Sequence, residues 1–237
     1  MRGVEDTFWW YRALHHHVLN LLANQPPIFT LLDVGCGTGG MLSSIQAKYP
    51  EADLSGVYLS QHALDITQRR GVKAKLTCAN ASSLPFGDAQ FDVLLSLDVL
   101  THKGFDDRAA AAEMKRVLRP GGTAVLNLAA FDFLRGSHDI AVDVDRRYTR
   151  ERLRELIKAV GLKILYMSYW NMTLFFPVAG ARWLSRRSPQ TREPRSDLKP
   201  IAPILNLALT GIATAELAIS RICALPFGTS IIALVQK

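Results

Sequence analysis

The sequence contains few cysteines and no obvious leader. Cys36, Cys78 and Cys223 are widely spaced in 237 residues, without a C-x-x-C pair or a Cys/His cluster. These positions indicate neither a disulfide framework nor a zinc site, so we expect a reducing compartment and no bound metal. The first ten residues carry three charges and lack the apolar segment of a signal peptide, which predicts a cytoplasmic protein.

Acidic residues are scarce in the last third of the chain. Residues 146–237 contain 15 Lys or Arg and 5 Asp or Glu, whereas residues 1–145 contain 13 and 16. This asymmetry points to an acidic partner, an anionic membrane surface or a nucleic acid, and a solvated basic face explains it equally well. The overall composition, 49% hydrophobic and 21% charged, is ordinary for a single globular domain over residues 1–237.

A glycine-rich turn lies between a hydrophobic run and a helical pattern. Residues 29–34 have the continuous hydrophobicity of a strand buried on both faces, and residues 41–49 have apolar positions at helical spacing. Glycines between them allow positive φ and let backbone amides approach a ligand at the N-terminus of the helix. Gly35, Gly37 and Gly40 also fit a dinucleotide fingerprint, so their spacing alone leaves two cofactor classes open.

Asp33 stands two residues before the first glycine and completes the pattern D-x-G-x-G-x-G. A carboxylate favours a cofactor that carries an ammonium and a sulfonium, whereas it repels a pyrophosphate. The pattern resembles motif I of class I S-adenosylmethionine-dependent methyltransferases. This resemblance implies that S-adenosylmethionine is the cofactor and S-adenosylhomocysteine the product.

Strands and helices alternate after this turn. We predict strands over residues 53–59, 72–78, 91–96, 122–129, 162–170 and 229–235, and helices over residues 61–70, 108–118 and 149–160. The alternation predicts an α/β fold with a doubly wound, mostly parallel sheet. The resemblance implies a Rossmann-like sheet of seven strands whose last strand is antiparallel.

Further motifs extend the resemblance to the small-molecule (type 11-like) group of these enzymes. Residues 79–86 resemble the family's G-D-A-x-x-L-P-F, and residues 118–122 resemble the L-R-P-G-G turn before the fifth strand. Residues 91–102 resemble the fourth strand and the loop that lines the methionine end of the cofactor. The resemblance implies cofactor contacts by the residues at these motifs: Asp33, Gly35, Cys36, Gly37, Gly39, Tyr58, Leu59, Asn80, Ala81 and Leu97.

Two of these positions depart from the family pattern. Tyr58 stands where the family has an acid that holds the ribose hydroxyls, and a phenol cannot act as a bidentate acceptor. Asn80 stands where the family has an acid that meets the adenine amino group. The carbonyl oxygen of Asn80 can make the same contact.

Two segments lie outside these motifs. The aromatic run at residues 8–12 opens a helical pattern, and we interpret residues 1–28 as an N-terminal helical lid. Residues 171–228 separate strands six and seven, and this segment is far too long for a hairpin loop. We interpret it as an inserted hydrophobic cap. The cap has a polar linker at residues 185–199 and a helix within residues 201–224. Residues 164–181 are uncharged, but Pro177 and the strand pattern argue against a membrane span.

The acceptor is expected between the lid, residues 137–148 and the cap, because the cofactor fills the strand ends elsewhere. We predict substrate contacts by the side chains on that side: Trp9, Trp10, Tyr11, His138, Tyr169 and Phe175. His138, which is followed by Asp139, is the predicted general base, since an ordinary imidazole pKa suits proton removal at neutral pH. Tyr148 and His102 are further catalytic candidates, and a structural role is the alternative for both histidines.

These features predict an S-adenosylmethionine-dependent methyltransferase that acts on O, N or C of a small lipophilic acceptor. The alternatives are an RNA methyltransferase that uses the basic last third and a non-catalytic cofactor-binding scaffold. Nucleic acid is disfavoured as a partner. Peripheral membrane contact through the basic, apolar last third is compatible with a cytoplasmic location.

Overall fold

The computed structural model describes residues 2–26, 29–104, 106–185, 201–220 and 222–237. The helices that it describes are α1 Arg2–Thr7, α2 Trp9–Leu21, α3 Gly40–Lys48, α4 Gln61–Arg69, α5 Asp107–Val117, α6 Ser137–Ala141, α7 Arg150–Ala159, α8 Phe175–Ser185 and α9 Pro203–Ser220, with a 3-10 turn at Asp132–Leu134. The strands are β1 Thr30–Val34, β2 Asp53–Tyr58, β3 Ala74–Cys78, β4 Phe91–Leu97, β5 Leu118–Ala129, β6 Lys163–Trp170 and β7 Ser230–Gln236.

The strands form one mixed sheet in the order β3-β2-β1-β4-β5-β7-β6. Strands β1 to β5 pair in parallel, and β7 pairs antiparallel with both β5 and β6. Strand β6 therefore runs in the same direction as β1 to β5, so the carboxyl ends of six strands lie at one edge. The predicted seven-stranded Rossmann-like fold is confirmed, and the order changes direction beside β1, where such folds bind ligands.

A hydrophobic core lies on each face of the sheet because successive strand residues point to opposite faces. Leu31 belongs to one core and Leu32 to the other. Helices α2, α3, α4 and α9 contribute buried side chains to the core that contains Leu31, while α5 and α7 contribute to the core that contains Leu32. Helices therefore cover both faces of the sheet. The carboxyl ends of its parallel strands are where a ligand-binding site is expected.

The fifth strand is longer than predicted. We expected helix over residues 108–118 and strand over residues 122–129, but β5 already begins at Leu118. Leu118 pairs with Phe91, and Gly121 and Gly122 exchange backbone hydrogen bonds of 3.0 Å with Lys237. The L-R-P-G-G segment is therefore held in the sheet from both sides instead of forming a separate turn.

The insertion leaves the sheet at Asn171 and returns at Thr229. The amide of Asn171 donates to the hydroxyl of Thr229 at 2.6 Å, which joins the two ends. Between them lie α8 and α9, whereas most of the predicted polar linker, residues 186–199, lies outside the described residues. Residues 164–170 belong to β6, so the strand predicted over this part of the uncharged stretch is confirmed. Among the described helices, Pro203–Ser220 is long and apolar enough to span a membrane by length and composition.

The N-terminal segment consists of two helices that meet at an extended residue, Phe8. Helix α2 packs against α9, and α1 reaches α3 and the glycine loop. The division of residues 1–237 into one domain with a lid and a cap stays a prediction. The structure adds that the lid and the cap touch each other through α2 and α9.

Candidate active site

The glycine loop follows β1 and ends where α3 begins at Gly40. Gly35 has φ of +90° and Gly37 has φ of +56°, a region that favours glycine. A Cβ on Gly35 would collide with Val99, so only a residue without a side chain fits at this position. At Gly37, no described atom lies within 4 Å of the position of a Cβ. The loop therefore has open space beside Gly37, whereas Val99, Thr67 and Glu5 fill the corresponding positions at Gly35, Gly39 and Gly40.

Asp33 lies in β1 between β2 and β4, and 2% of the residue is exposed. Burial raises the pKa of Asp33 to about 7, and the charge of Glu5 raises it further in the same direction. A buried carboxylate with such a pKa is stabilised in its charged form by a cation. The ammonium and sulfonium of S-adenosylmethionine supply that charge, so the donor set fits the cofactor that the sequence implies.

Asp98 follows β4 at the same edge and has a positive φ of 61°. Removal from water raises the pKa of its carboxyl to about 7, although a hydrogen bond from Asn127 and the charge of Arg147 act in the opposite direction. The amide of Asn127 donates to Asp98 at 2.9 Å. The crevice therefore contains two carboxylates, Asp33 and Asp98, whose protonation a cationic ligand would change.

Helix α1 places an acid at the amide end of α3. The carboxylate of Glu5 accepts from the Gly40 backbone amide at 3.2 Å and from the hydroxyl of Thr38. Arg70 forms an ion pair with the same carboxylate at 3.0 Å. A negative side chain at a helix N-terminus is favourable because the unpaired amides carry partial positive charge. Glu5 thus fixes α1 over the glycine loop.

Tyr11 extends from α2 toward the same crevice. Burial raises its pKa to about 12, and the charges of Glu5, Asp98 and Tyr58 act on it in the same direction. These groups come from the lid, from the end of β4 and from the end of β2. Tyr11 is therefore near enough to these groups for their charges to act on its hydroxyl.

The predicted adenosine side is formed by the ends of β2 and β3. Tyr58 ends β2 half-buried, and burial together with Cys36 and Glu5 raises its pKa. The side-chain oxygen of Asn80 accepts from the amide of Ser82 at 2.9 Å, which leaves one lone pair for a ligand. Leu59 is exposed and Ala81 is buried beside them. The structure brings these residues to one edge, and their contacts with a cofactor stay predictions.

The three predicted catalytic residues lie in different surroundings. Tyr148 is fully buried, and its hydroxyl donates to Asp107 at 2.7 Å. Burial and this hydrogen bond both raise the pKa of Tyr148. His102 forms an isolated bridge with Val144, and burial lowers its pKa. His138 is the second residue of the short helix α6 and is half-buried. The catalytic roles of the three residues stay predictions.

The neighbour that supported His138 as a base is occupied elsewhere. Asp139 is buried and forms a paired interaction with Arg147, at 2.9 Å to Nε and 2.8 Å to Nη2. Its carboxylate also accepts from the Gly136 backbone amide at 2.8 Å. Asp139 therefore stabilises the loop after β5, and the role of His138 as a base stays a prediction.

Aromatic side chains gather where β5 and β6 end. Phe131 stacks on Tyr169 with ring centroids 4.9 Å apart, and Phe175 of α8 lies 5.7 Å from Phe131. Phe227 lies 4.9 Å from Phe175 on the returning chain. We refer to Phe131, Phe133, Tyr169, Phe175 and Phe227 as the aromatic cluster. It includes two predicted substrate residues, Tyr169 and Phe175, and it contains three rings that the sequence did not identify.

Two other predicted substrate residues, Trp9 and Trp10, pack against different parts of the protein. Trp9 is buried in the core with Leu217 of α9, where its backbone amide donates to Asn206 at 2.8 Å. Trp10 stacks on Trp170 at 5.5 Å. The indole of Trp170 donates to the side-chain oxygen of Asn127 at 2.8 Å, and Asn127 in turn donates to Asp98. One ring stack and two hydrogen bonds thus join the lid to the end of β4.

The chain is similar to known methyltransferases. Residues 32–126 match a family described as "Methyltransferase domain". The chain is 29% identical to an O-methyltransferase of Pyrenophora dematioidea over 62% of this chain and 59% of that protein. It is 38% identical to 2-methyl-6-phytyl-1,4-hydroquinone methyltransferase of Synechocystis sp. over 44% of this chain and 33% of that protein. The chain thus spans less than two thirds of the length of these curated relatives.

A solved structure extends the likeness to the whole fold. Geranyl diphosphate methyltransferase in complex with SAM superposes with a TM-score of 0.64, at 16% identity, over 95% of this chain and 85% of that chain. The matched family segment begins at Leu32, and it includes Asp33, the glycine loop and Asp98. Sequence motif, sheet order and family match agree. Residues 32–126 are therefore similar to a methyltransferase domain family, and the chain as a whole shares its fold with solved methyltransferase structures.

Proposed function

We propose that this protein transfers the methyl group of S-adenosylmethionine to an oxygen, nitrogen or carbon atom of a small lipophilic acceptor. The cofactor supplies an electrophilic methyl group on a sulfonium. Asp33 and Asp98 would hold the cationic part of the cofactor, and Tyr58 and Asn80 would hold the ribose and adenine. In-line methyl transfer depends chiefly on positioning, so the protein's contribution is to align the two reactants.

The aromatic cluster is the observation that supports a lipophilic acceptor. It lies at the carboxyl ends of β5 and β6, while the cofactor residues lie at the ends of β1, β2 and β4 of the same edge. Asn127 links the two regions through Asp98 and Trp170. Aromatic rings offer large apolar area with stacking geometry, which suits a phenol, an indole or a prenylated ring.

The names of two relatives agree with this acceptor class. One is an O-methyltransferase, and the other acts on a hydroquinone that carries a phytyl chain. Both names are compatible with a ring that presents a hydroxyl or an activated carbon. We extend this class, without a specific compound, to the present chain.

His138 is the proposed base where the acceptor must lose a proton. It lies in the segment between β5 and α7 that also provides Phe131 and Phe133 of the aromatic cluster. The phenol of Tyr148 is a weaker candidate because its hydroxyl already donates a hydrogen bond to Asp107. Removal of a general base lowers turnover by about 10²-fold or more, so His138→Ala should do so while S-adenosylhomocysteine affinity is preserved.

The test is methyl transfer from labelled S-adenosylmethionine to a panel of prenylated phenols, simple phenols and polar catechols. We expect Phe131→Leu to raise the KM for the best acceptor about tenfold with an unchanged Kd for S-adenosylhomocysteine. The matched control is Phe86→Leu, which removes a ring from a separate aromatic pair with Phe91 at 5.1 Å. Equal KM values for Phe131→Leu and wild type would contradict the placement of the acceptor.

The same assay separates the two alternatives. Labelled methyl groups that appear in RNA, with binding that falls steeply as salt rises, would favour the RNA methyltransferase. No labelled product from any cell extract, despite cofactor binding, would favour the scaffold. Mass spectrometry of small molecules that co-purify with the protein would identify the acceptor class directly. We also propose a cytoplasmic location, in agreement with the three free cysteines.

A further inference from the structure

Helix α9 has its polar side chains directed toward the protein. Asn206 accepts from the backbone amide of Trp9 at 2.8 Å and donates to the carbonyl of Thr7 at 2.7 Å. Glu216 is buried and accepts from the backbone amides of Met172 and Thr173 at 2.6 and 3.0 Å. These four bonds fix which face of the helix is outward.

The outward face of α9 is apolar along its whole length. Ile204, Leu207 and Ile219 are 86%, 66% and 57% exposed. The exposed residues of α9 are Pro203, Ile204, Leu205, Leu207, Ala208, Gly211, Ile212, Ala215, Ala218 and Ile219, and none of these described positions is polar or charged. A helix on a soluble surface normally shows the opposite arrangement, with polar residues outward. The outer face of α9 therefore requires a covering partner.

Helix α8 adds exposed apolar side chains to the insertion. Phe176, Trp183 and Leu184 are all more than half exposed, and none of the residues of α8 is buried. Tryptophan is typical of the boundary between lipid and water, because its ring is apolar and its N–H is polar. Both helices of the insertion thus present apolar surface.

Basic residues border this surface in the sequence. The segment 186–200, which connects α8 to α9, contains five Lys or Arg and two Asp or Glu, a net charge of +3. A cationic segment next to an apolar helix face complements an anionic lipid bilayer, whose headgroups attract the charges and whose chains accept the side chains. Two copies of the chain would instead bring like charges together.

We propose that the outer face of α9 is a monotopic docking surface for an anionic lipid bilayer. The helix lies in the plane of the interface and does not cross the membrane, because Asn206 and Glu216 bind it to the body of the protein on its other side. This inference goes beyond the proposed methyl transfer and does not depend on the identity of the acceptor. It predicts membrane attachment even for the ligand-free protein.

The test is co-flotation of the full chain with vesicles of phosphatidylcholine alone and with 30% phosphatidylglycerol. We expect at least about tenfold tighter binding to the anionic vesicles, weaker binding at high salt, and a further loss of about tenfold or more in Leu207→Glu and in Ile204→Glu. The matched control is Ile140→Glu, because Ile140 on α6 is also an exposed isoleucine, at 60%, and lies outside α8 and α9. We expect the control to bind vesicles like the wild type.

A second measurement distinguishes lipid from protein partners. Light scattering of the purified chain should give a monomer for wild type and for both α9 variants, with equal thermal unfolding temperatures. A dimer that Leu207→Glu dissociates would overturn the proposal, because a second copy would then cover the face. Equal binding to neutral and anionic vesicles, or wild-type binding by both α9 variants, would also overturn it.

Discussion

The carboxylate of Glu5 lies 3.2 Å from the backbone amide of Gly40, the first residue of α3. An acid from the lid therefore occupies the positive end of the helix that follows the glycine loop. The same charge raises the pKa of Asp33. The state of the lid and the affinity of the crevice for a cation are thus electrostatically connected.

Cofactor binding should weaken as the pH falls through 7. Asp33 has a pKa of about 7 without ligand, and a bound sulfonium or ammonium favours its charged form, so binding releases a proton. For this one group we expect the Kd of S-adenosylhomocysteine to rise about tenfold from pH 8 to pH 6. Asp33→Asn should remove this group's part of the pH dependence, leave the part that Asp98 contributes, and lose about 1.5–3 kcal/mol of affinity at pH 8. Calorimetry that finds the same Kd for both proteins would contradict the assignment.

Replacing Glu5 should change the pH dependence itself. Glu5→Gln removes a charge that raises the pKa of Asp33, so the midpoint of the binding curve should move to lower pH. The matched control is Asp6→Asn, because Asp6 lies on the same helix and pairs with the same Arg70 but is not among the groups that shift Asp33. An equal shift in both variants would mean that loss of the lid, not charge, is responsible.

Ligand-free protein should be less stable at pH 8 than at pH 5. Asp33 and Asp98 titrate near pH 7 in the folded protein, above the ordinary value of 3.8, so their protonation favours folding. Their contribution is fully present below about pH 4 and is lost as the pH rises through 7. Each kcal/mol lost lowers Tm by about 2–4 °C in a chain of this size. Calorimetry should show a smaller decrease in Asp98→Asn, and an unchanged decrease would contradict this account.

Tyr58 offers a test of the unusual ribose position. If its hydroxyl holds the ribose, Tyr58→Phe should weaken S-adenosylhomocysteine binding by about 0.5–1.5 kcal/mol. Tyr58→Asp should be tolerated or should bind more tightly, because a carboxylate can accept from both hydroxyls. Isothermal titration of the three proteins decides the point. Equal affinities would show that the residue only packs beside Cys36.

The pair formed by Asp139 and Arg147 should be important for stability. Asp139 is 1% exposed and Arg147 is 9% exposed, so Asp139→Ala leaves a buried guanidinium without its charge partner. Such a loss costs about 3–5 kcal/mol. The control is Asp145→Ala, which removes a half-exposed acid near Arg146 and should cost about 0–1 kcal/mol. Urea unfolding compares the two, and similar losses would contradict the structural role of Asp139.

The sequence predicted the features that depend on local pattern. The glycine loop and the alternation of strands and helices follow from residue types at short spacing, and the structure confirms them. The longer β5 was not predicted because Leu118 pairs with Phe91, a contact between distant segments. Short helices such as α6 carry too few residues for a periodic signal.

Most of the missed site features are also long-range contacts. Glu5 reaches the glycine loop across 35 positions, and its neighbours in the chain give no sign of that contact. The pairing of Asp139 with Arg147 was hidden because adjacency to His138 suggested another partner. Asp98 did carry a signal, since an acid that directly follows a buried strand lies at the ligand edge of a parallel sheet.

The hydrogen bond between Asn171 and Thr229 has an evolutionary consequence. Because the insertion leaves and rejoins the sheet at neighbouring residues, changes in its length do not alter the register of β6 and β7. Longer closed segments cost only slightly more chain entropy. Descendants of this fold can therefore exchange or enlarge the insertion while inheriting the same strand ends, so new surfaces can arise here without rebuilding the crevice around Asp33.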